Sequence, residues 1–304
     1  MHKKGYSSRS IQNKLFVPKS TVNDVLNRYG LSRKKLGPNL IVLDVESAPS
    51  IAAVFGRYGV NLSPEHILEE GGTLFSISWK VLRTIDSKTK TLRKSKTRGS
   101  IVAYDTQNNR VDDYLLCLEL RNVLEAADFI IGHNIDKFDR ALICTRMLKN
   151  GMKDIPTVRT IDTLKIARSL KFESNKLDSI GNYLELGRKQ STGGIALWIA
   201  CKNGDKQAFA KMLKYNKQDV DLTTDVYLEL RAVHRQHPNL GLYYADEAER
   251  CPVCCSTDVE ATGSLVFSNQ QTYEEVSCLH CGAKSRRKQG RSTKEKRKKL
   301  LQKV

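Results

Sequence analysis

A continuous apolar run, Leu40-Ile41-Val42-Leu43, is followed at once by Asp44-Val45-Glu46. Four large aliphatic residues in a row suit a strand buried on both faces, as in the centre of a sheet covered by helices. Side chains two apart on a strand share a face, so Asp44 and Glu46 project together from its carboxyl end. Open α/β sheets place their ligands at that end. Two further acids, Asp139 in GHNIDKFD and Asp219 in YNKQDV, lie in distant segments, so only a tertiary fold can join the four. Clustered carboxylates repel one another unless a divalent cation sits among them. A hard cation such as Mg²⁺ takes oxygen ligands and is completed by water and phosphate. The chemistry predicted is metal-dependent work on phosphodiesters.

The charge distribution suits such a substrate. The 304 residues carry a net charge of +18. Residues 1–36 hold nine Lys/Arg and one acid, and residues 282–304 hold eleven and one, so the body between them is formally neutral. Two cationic ends on a neutral centre fit a polyanion gripped through its phosphates; the plainer reading is that they keep the chain soluble. The candidate nucleic-acid contacts are Lys19 and Arg28 near the N-terminus, Arg93 and Lys94 in the basic stretch 83–98, and Arg286 and Arg287 near the C-terminus. For the stretch 83–98 a solvated charge run is the equal alternative. No run of about 18 apolar residues exists, so no membrane span is expected. The first residues, MHKKGYSSRS, lack an apolar stretch of signal-peptide type.

Hydrophobic periodicity outlines the elements. Residues 8–29 read as two short helices broken at Pro18, with Ser20 or Thr21 as the second cap and Gly30 as the stop. The spacing resembles a helix-turn-helix with residues 19–28 as recognition helix; any small amphipathic pair would look similar. Strands are expected over 40–43, 73–81 and 101–104, with a protruding basic hairpin or loop over 83–98. Helical period marks 112–127, a short apolar strand 129–131, a helix 137–149, and a strand turning into helix over 160–170. Further helices are expected over 177–186, 207–215 and 220–234. Strands followed by alternating helices predict an α/β fold with a mixed sheet flanked by helices. The expected division is a helix-turn-helix-like basic segment at 1–36, the α/β domain at 37–237, a Cys-rich module at 238–284 and a basic tail at 285–304, a disordered arm or exposed helix.

Asp139 is expected in the first turns of its helix, with Asn134 as cap, Phe138 pinned to the core and Asp139 facing outward. Tyr215 and Asp219 are four apart on a helix and share a face. Each piece has an ordinary explanation: a turn after a strand, an acid favoured by the helix dipole, or a chance pair. Their conjunction resembles the DEDD superfamily of 3′–5′ exonucleases, which has a ribonuclease H-like fold. Asp44 and Glu46 match the first motif, Asn134 to Asp139 (N-x-x-x-F-D) the second, and Tyr215 to Asp219 (Y-x-x-x-D) the third in its tyrosine variant. Position 214 is Lys, which excludes the histidine variant. The similarity spans roughly residues 39–234 and is nearest to stand-alone phage and bacterial exonucleases without a polymerase domain.

The resemblance implies two Mg²⁺ or Mn²⁺ ions held by Asp44, Glu46, Asp139 and Asp219, with Tyr215 aiming the attacking water. It implies 5′-mononucleotides as products, nucleic acid as substrate with DNA ranked ahead of RNA, a separate polymerase or replication complex as a candidate partner, and a cytoplasmic setting in a bacterium or phage-infected host. Asp162 is a supporting candidate with helix capping as its alternative; Asp136 and Asp221 are expected to be solvated. Two other readings stay open: a ribonuclease H-like recombinase or transposase, and a non-catalytic DNA-binding regulator on an exonuclease scaffold.

Cys251-Pro-Val-Cys254 and Cys278-Leu-His-Cys281 are paired C-x-x-C units separated by 23 residues. Two such knuckles bind one Zn²⁺ through four thiolates in a closed structural site. The polar segment between them cannot build a core alone, so metal binding and folding are expected to be coupled. The module resembles a zinc ribbon. Cys255 and His280 sit beside better-spaced ligands.

Overall fold

In the computed structural model, which describes residues 8–15, 21, 37–56, 58–83, 93–105, 110–187, 193–268, 271–287 and 290–300, the apolar run lies within strand β1 (Asn39–Ser47). Leu40, Ile41, Val42 and Leu43 are all at most 2% exposed, so both faces of the strand are covered as expected. β1 is the centre of a five-stranded mixed sheet with β2 (Leu74–Arg83), β3 (Arg93–Val102), β4 (Phe129–Gly132) and β5 (Arg159–Asp162), in the order β3-β2-β1-β4-β5. β1 pairs with β4 in parallel, Leu40 opposite Phe129, and β4 pairs with β5 in parallel, Gly132 opposite Asp162.

Helices cover the sheet. On the side of Ile41, Leu43 and Val45, one core gathers Leu116 and Leu120 of α2 (Tyr114–Ala126) with Ile143 and Met147 of α3 (Asp139–Lys149). A second core joins Phe75 to Leu197 and Cys201 of α6 (Ile195–Lys202) and Phe209 and Met212 of α7 (Lys206–Leu230). Between them in the chain lie α4 (Thr163–Arg168) and α5 (Leu177–Tyr183). Two expectations are corrected. The third strand starts at Arg93, eight residues before the apolar alternation shows it, because its first half is basic. The helices expected over 207–215 and 220–234 are one uninterrupted element to Leu230: at the junction Asn216 and Asp219 are buried and Lys217 is exposed, so the helical alternation of faces carries on through it.

An ion pair between α2 and α3 ties the first core. Arg146 Nε and Nη2 donate to Asp113 at 2.6 and 3.0 Å, while Asn150 Nδ2 and the Leu74 N–H donate to the same carboxylate at 2.9 and 3.0 Å. Burial pushes Asp113 up, but these donors override it and hold the carboxyl below its ordinary 3.8. Asp113→Ala should cost about 3–5 kcal/mol in urea unfolding, because Arg146 is left charged, buried and unpaired. The wild-type contribution is present above the ordinary carboxylate value and disappears as pH falls through the depressed one. A loss below about 1 kcal/mol, the scale of a surface pair, would refute this.

The residues divide into two compact units, one of Asn39–Leu82 and Lys94–Leu228, the other of Met1–Pro38, Arg83–Arg93 and Glu229–Val304. The second includes α1 (Ser8–Leu15), whose Ile11 is buried. The proposed recognition helix lies outside the described residues, apart from Thr21. The Cys-rich part forms a three-stranded antiparallel sheet of β6 (Val259–Phe267), β7 (Thr272–Cys278) and β8 (Lys284–Arg286), followed by the short α8 (Lys294–Lys298). Order thus continues past residue 284: Arg291 N–H donates to Thr272 O at 2.7 Å and its Nη2 to Glu274 at 2.7 Å. The acids of β7 neutralise enough of the tail for its start to fold back. No helix among the described residues is long and apolar enough to cross a membrane.

Candidate metal centres and their surroundings

Asp44 and Glu46 stand at the carboxyl end of β1, and α7 brings Asp219 to them. One oxygen from each of the three lies within 4.8 Å of the others. Asp219 is 3% exposed. Asn216, one turn before Asp219 on α7, donates from Nδ2 to Asp44 Oδ2 at 2.6 Å and fixes that carboxylate. Sequence reasoning missed Asn216; its i, i+3 spacing from Asp219 was the available signal. Tyr215 packs its ring edge-on against Trp198, centroids 6.0 Å apart.

Asp139 lies outside that trio but is tied to its backbone: Oδ1 accepts the Val45 N–H at 3.4 Å, between Asp44 and Glu46. The expected roles of Phe138 and Asp139 are inverted. Phe138 is 51% exposed and Asp139 4%, and the side chain that pins the turn is Ile135, at 1%. Gly132 permits this, because a Cβ there would come within 2.8 Å of Ile135. Asn134 is not a cap; it takes a left-handed φ of 67°, a conformation Asn tolerates better than most residues, and its carbonyl accepts Phe138 N–H at 3.0 Å.

The next strand and helix clamp this turn. Asp162 caps α4 through Leu164 N–H at 3.0 Å and also accepts the N–H groups of Asn134 at 2.9 Å and Asp136 at 3.4 Å. Thr160 and Lys165 both donate to Asp136, the latter at 2.6 Å. His133 bridges Thr163 Oγ1 and Asn175 O, each at 2.9 Å. Asp136 is therefore a paired structural acid instead of a solvated one. Asp221 stays solvated as expected, with 42% of its side chain exposed, and also meets Lys80 at 2.5 Å and Arg98 at 3.3 Å. Burial pushes Asp139 up to about 7, two backbone N–H donors work against this, and the charge on Asp162 adds to it.

The donor set at Asp44, Glu46 and Asp219 is all carboxylate oxygen, which fits a hard divalent cation such as Mg²⁺ or Mn²⁺. The second cluster differs in kind. Cys251, Cys254, Cys278 and Cys281 bring four sulfurs within 4.8 Å of one another. Cys251 and Cys281 sulfurs are 3.7 Å apart and those of Cys254 and Cys278 3.5 Å. A disulfide needs about 2.05 Å, whereas a tetrahedron with Zn–S of about 2.3 Å has edges near 3.8 Å. Each C-x-x-C unit closes with the same turn: Cys255 N–H donates to Cys251 O at 3.0 Å and Gly282 N–H to Cys278 O at 2.9 Å. Cys255 and Gly282 both have left-handed φ, 63° and 73°. Cys255 is thus the turn residue after a knuckle, outside the sulfur cluster.

The other candidates are scattered. Lys19 and Arg28 lie outside the described residues, and Arg93 and Lys94 are placed on β3 with their side chains outside them. The Arg286 guanidinium stacks 4.2 Å over the Tyr273 ring. Arg287 pairs with Glu249 at 2.9 Å and with Glu274, so its charge is compensated within the fold.

A family model of the RNase H superfamily matches residues 92–231. That segment contains Asp139, Tyr215 and Asp219; Asp44 and Glu46 precede it. Among solved structures, the chain is similar to the family B DNA polymerase from the hyperthermophilic archaeon Pyrobaculum calidifontis, at 14% identity and a TM-score of 0.44, over 64% of this chain and 25% of that one. The chain spans about a quarter of that polymerase's length. No curated protein matches.

Proposed function

We propose that this chain, whose fold is ribonuclease H-like, is a metal-dependent nuclease that removes 5′-mononucleotides from the 3′ end of a nucleic-acid strand, with DNA ranked ahead of RNA. The observation that carries this reading is the meeting of Asp44 and Glu46 on β1 with Asp219 on α7, with Asp139 tied to the Val45 amide beside them. Asp44, Glu46, Asp139 and Asp219 would hold two Mg²⁺ or Mn²⁺ ions. Such ions supply a water of lowered pKa and neutralise charge building on the phosphate oxygens. Asn216 holds Asp44 in position, and the Asp162 clamp sets the turn that presents Asp139. Tyr215 aims the attacking water by hydrogen bonding through its phenol hydroxyl.

The second cluster reads as one structural Zn²⁺ on Cys251, Cys254, Cys278 and Cys281, in a zinc ribbon. The basic ends would hold the strand through its phosphates. Lys19, Arg28, Arg93, Lys94 and Arg286 are the proposed contacts, with Arg287 a weaker one because Glu249 and Glu274 already neutralise it. Partnership with a separate polymerase remains part of this proposal.

Incubation with 5′-labelled single-stranded and duplex DNA and RNA in Mg²⁺ tests the reading. A ladder shortening from the 3′ end with mononucleotide release supports it. Strand joining would support the recombinase alternative, and a stable complex without cleavage the regulator. The raised Asp139 adds a pH signature. Below about pH 7 its proton competes with the cation, so Mn²⁺ affinity measured by titration should fall as pH drops from about 8 to 6 and level off at the alkaline end. An affinity independent of pH across that range would remove Asp139 from the ligand set.

A further inference from the structure

We propose that a cavity between β2, β3 and α7 binds a phosphomonoester, the terminal phosphate of a nucleotide or of a nucleic-acid strand. The cavity, of about 250 Å³, is lined by Ser78 and Lys80 of β2, Arg98 and Ser100 of β3, and Lys217 and Asp221 of α7. That is ample room for several groups the size of a phosphate oxygen. The cavity shares no lining residue with the carboxylate centre. Its occupancy is read by binding alone, so the site stands or falls separately from the nuclease reading.

Strand alternation puts Ser78 and Lys80 on one face of β2, opposite Ile77, which belongs to the first core. Helical spacing sets Lys217 and Asp221 side by side, on a different side of α7 from Asn216 and Asp219. Lys80 is only 4% exposed. Its ammonium meets Asp221 at 2.5 Å, and Arg98 reaches the same carboxylate at 3.3 Å. One shared carboxylate leaves both cations with donors to spare. Lys217 is exposed and pairs with no acid among the described residues. Ser78 is 1% exposed, and its Oγ has no hydrogen-bond partner among the described residues. Buried hydroxyls are almost always hydrogen-bonded, so an orphan on the wall of a cationic cavity marks a place for a bound acceptor.

Charge selects the occupant. Three cations face one carboxylate, which leaves a surplus of two positive charges. A phosphomonoester carries a charge of about −1.5 to −2 at pH 7, whereas each phosphodiester of a chain carries a single one. Reach points the same way. The Ser78 hydroxyl lies at buried depth, and a terminal phosphate, with one substituent, can enter to meet it. A phosphate inside a chain carries a sugar on either side, which holds it at the rim. Lys80, Arg98 and Lys217 supply charge-assisted donors for its oxygens, and Ser78 a neutral one. The strands behind the cavity are locked side by side, because the Trp79 indole packs onto Gly99 and a Cβ there would run into the ring. A free 5′-mononucleotide and the 5′-phosphorylated end of a strand both offer this group.

The test uses the full chain without divalent cation. Calorimetric titration compares adenosine 5′-monophosphate with adenosine and with the methyl ester of that monophosphate. The monophosphate should bind, the nucleoside should not, and the methyl ester should bind at least about tenfold more weakly, the scale of one hydrogen bond to a charged group. Ser78→Ala should weaken the monophosphate by about tenfold while leaving Tm unchanged or higher, because the hydroxyl it removes is buried without a partner. Lys217→Glu, at an exposed position, should weaken it by at least about tenfold through like-charge repulsion. Asp221→Asn should tighten it by about fivefold, the scale of a partly exposed charge pair; a carboxylate that only anchored Lys80 would not have this effect. Anisotropy with 3′-labelled oligonucleotides bearing a 5′-phosphate or a 5′-hydroxyl identifies the source. Preference for the phosphorylated strand assigns the site to strand ends, and equal affinities beside a bound monophosphate assign it to free nucleotide. No discrimination in either arm, or a monophosphate affinity that neither Ser78→Ala nor Lys217→Glu moves, would overturn the site.

Discussion

Replacing Asp219 by Asn should abolish cation-dependent release of mononucleotides while leaving the fold intact. The change is isosteric at a position only 3% exposed, so packing on α7 is preserved. It removes one of three carboxylates that lie within 4.8 Å of one another. Without a cation those charges repel, so the variant should melt at the same temperature as wild type or slightly higher. With Mn²⁺ the order reverses: wild type gains stability by mass action and the variant does not. The rate should fall by at least about 10²-fold, the scale on which removing one electrostatic group from an active site acts. Asp44→Ala and Asp139→Ala should act in the same direction. Cleavage at the wild-type rate in Asp219→Asn would show that the hydrolytic site lies elsewhere.

Removing the soft-metal site should have the largest effect on stability. Chelation of the proposed Zn²⁺, or Cys278→Ser, should unfold the module around β6, β7 and β8 while the five-stranded sheet stays folded. The cluster that holds this module is little more than the cysteines themselves, with Val253 and Ala283. Six consecutive residues of β6, Glu260 to Leu265, are all exposed, so no large apolar core among the described residues replaces the metal. Structural Zn²⁺ contributes about 10–16 kcal/mol of apparent binding energy in comparable small modules. Limited proteolysis with and without chelator, read by mass spectrometry, should show cuts confined to the module. A module that resists protease equally in both conditions would mean that the sulfur cluster is not a structural metal site. Cys255→Ser should leave metal stoichiometry unchanged, since Cys255 closes the turn without joining the cluster.

Much of the site could be read from local spacing. Asp44 and Glu46 follow an apolar strand, and the two C-x-x-C units stand on matching turns, because two or three residues of backbone suffice to set those relations. Other features depended on partners far away in the chain. Phe138 looked like the anchor and Asp139 like the exposed acid, yet Ile135 fills the space above Gly132 and turns Asp139 inward. Asp136 looked like a surface charge until Thr160 and Lys165 came within reach. The basic start of β3 carried no strand signal, because its pairing with β2 supplies what apolar alternation did not.

The amino-acid sequence by itself determined the covalently local facts: a doubly buried strand, two carboxylates on one face at its end, a Tyr and an Asp one helical turn apart, four cysteines spaced for two knuckles, and basic ends. Only the tertiary structure decided which acids meet, that Asn216 fixes one of them, that Asp139 is buried with its carboxyl pushed up by that burial, and that three cations from two strands and a helix face one cavity. The physical reason is one of range. Backbone geometry sets positions over a few residues, whereas burial and the distances between remote side chains exist only once the core has packed.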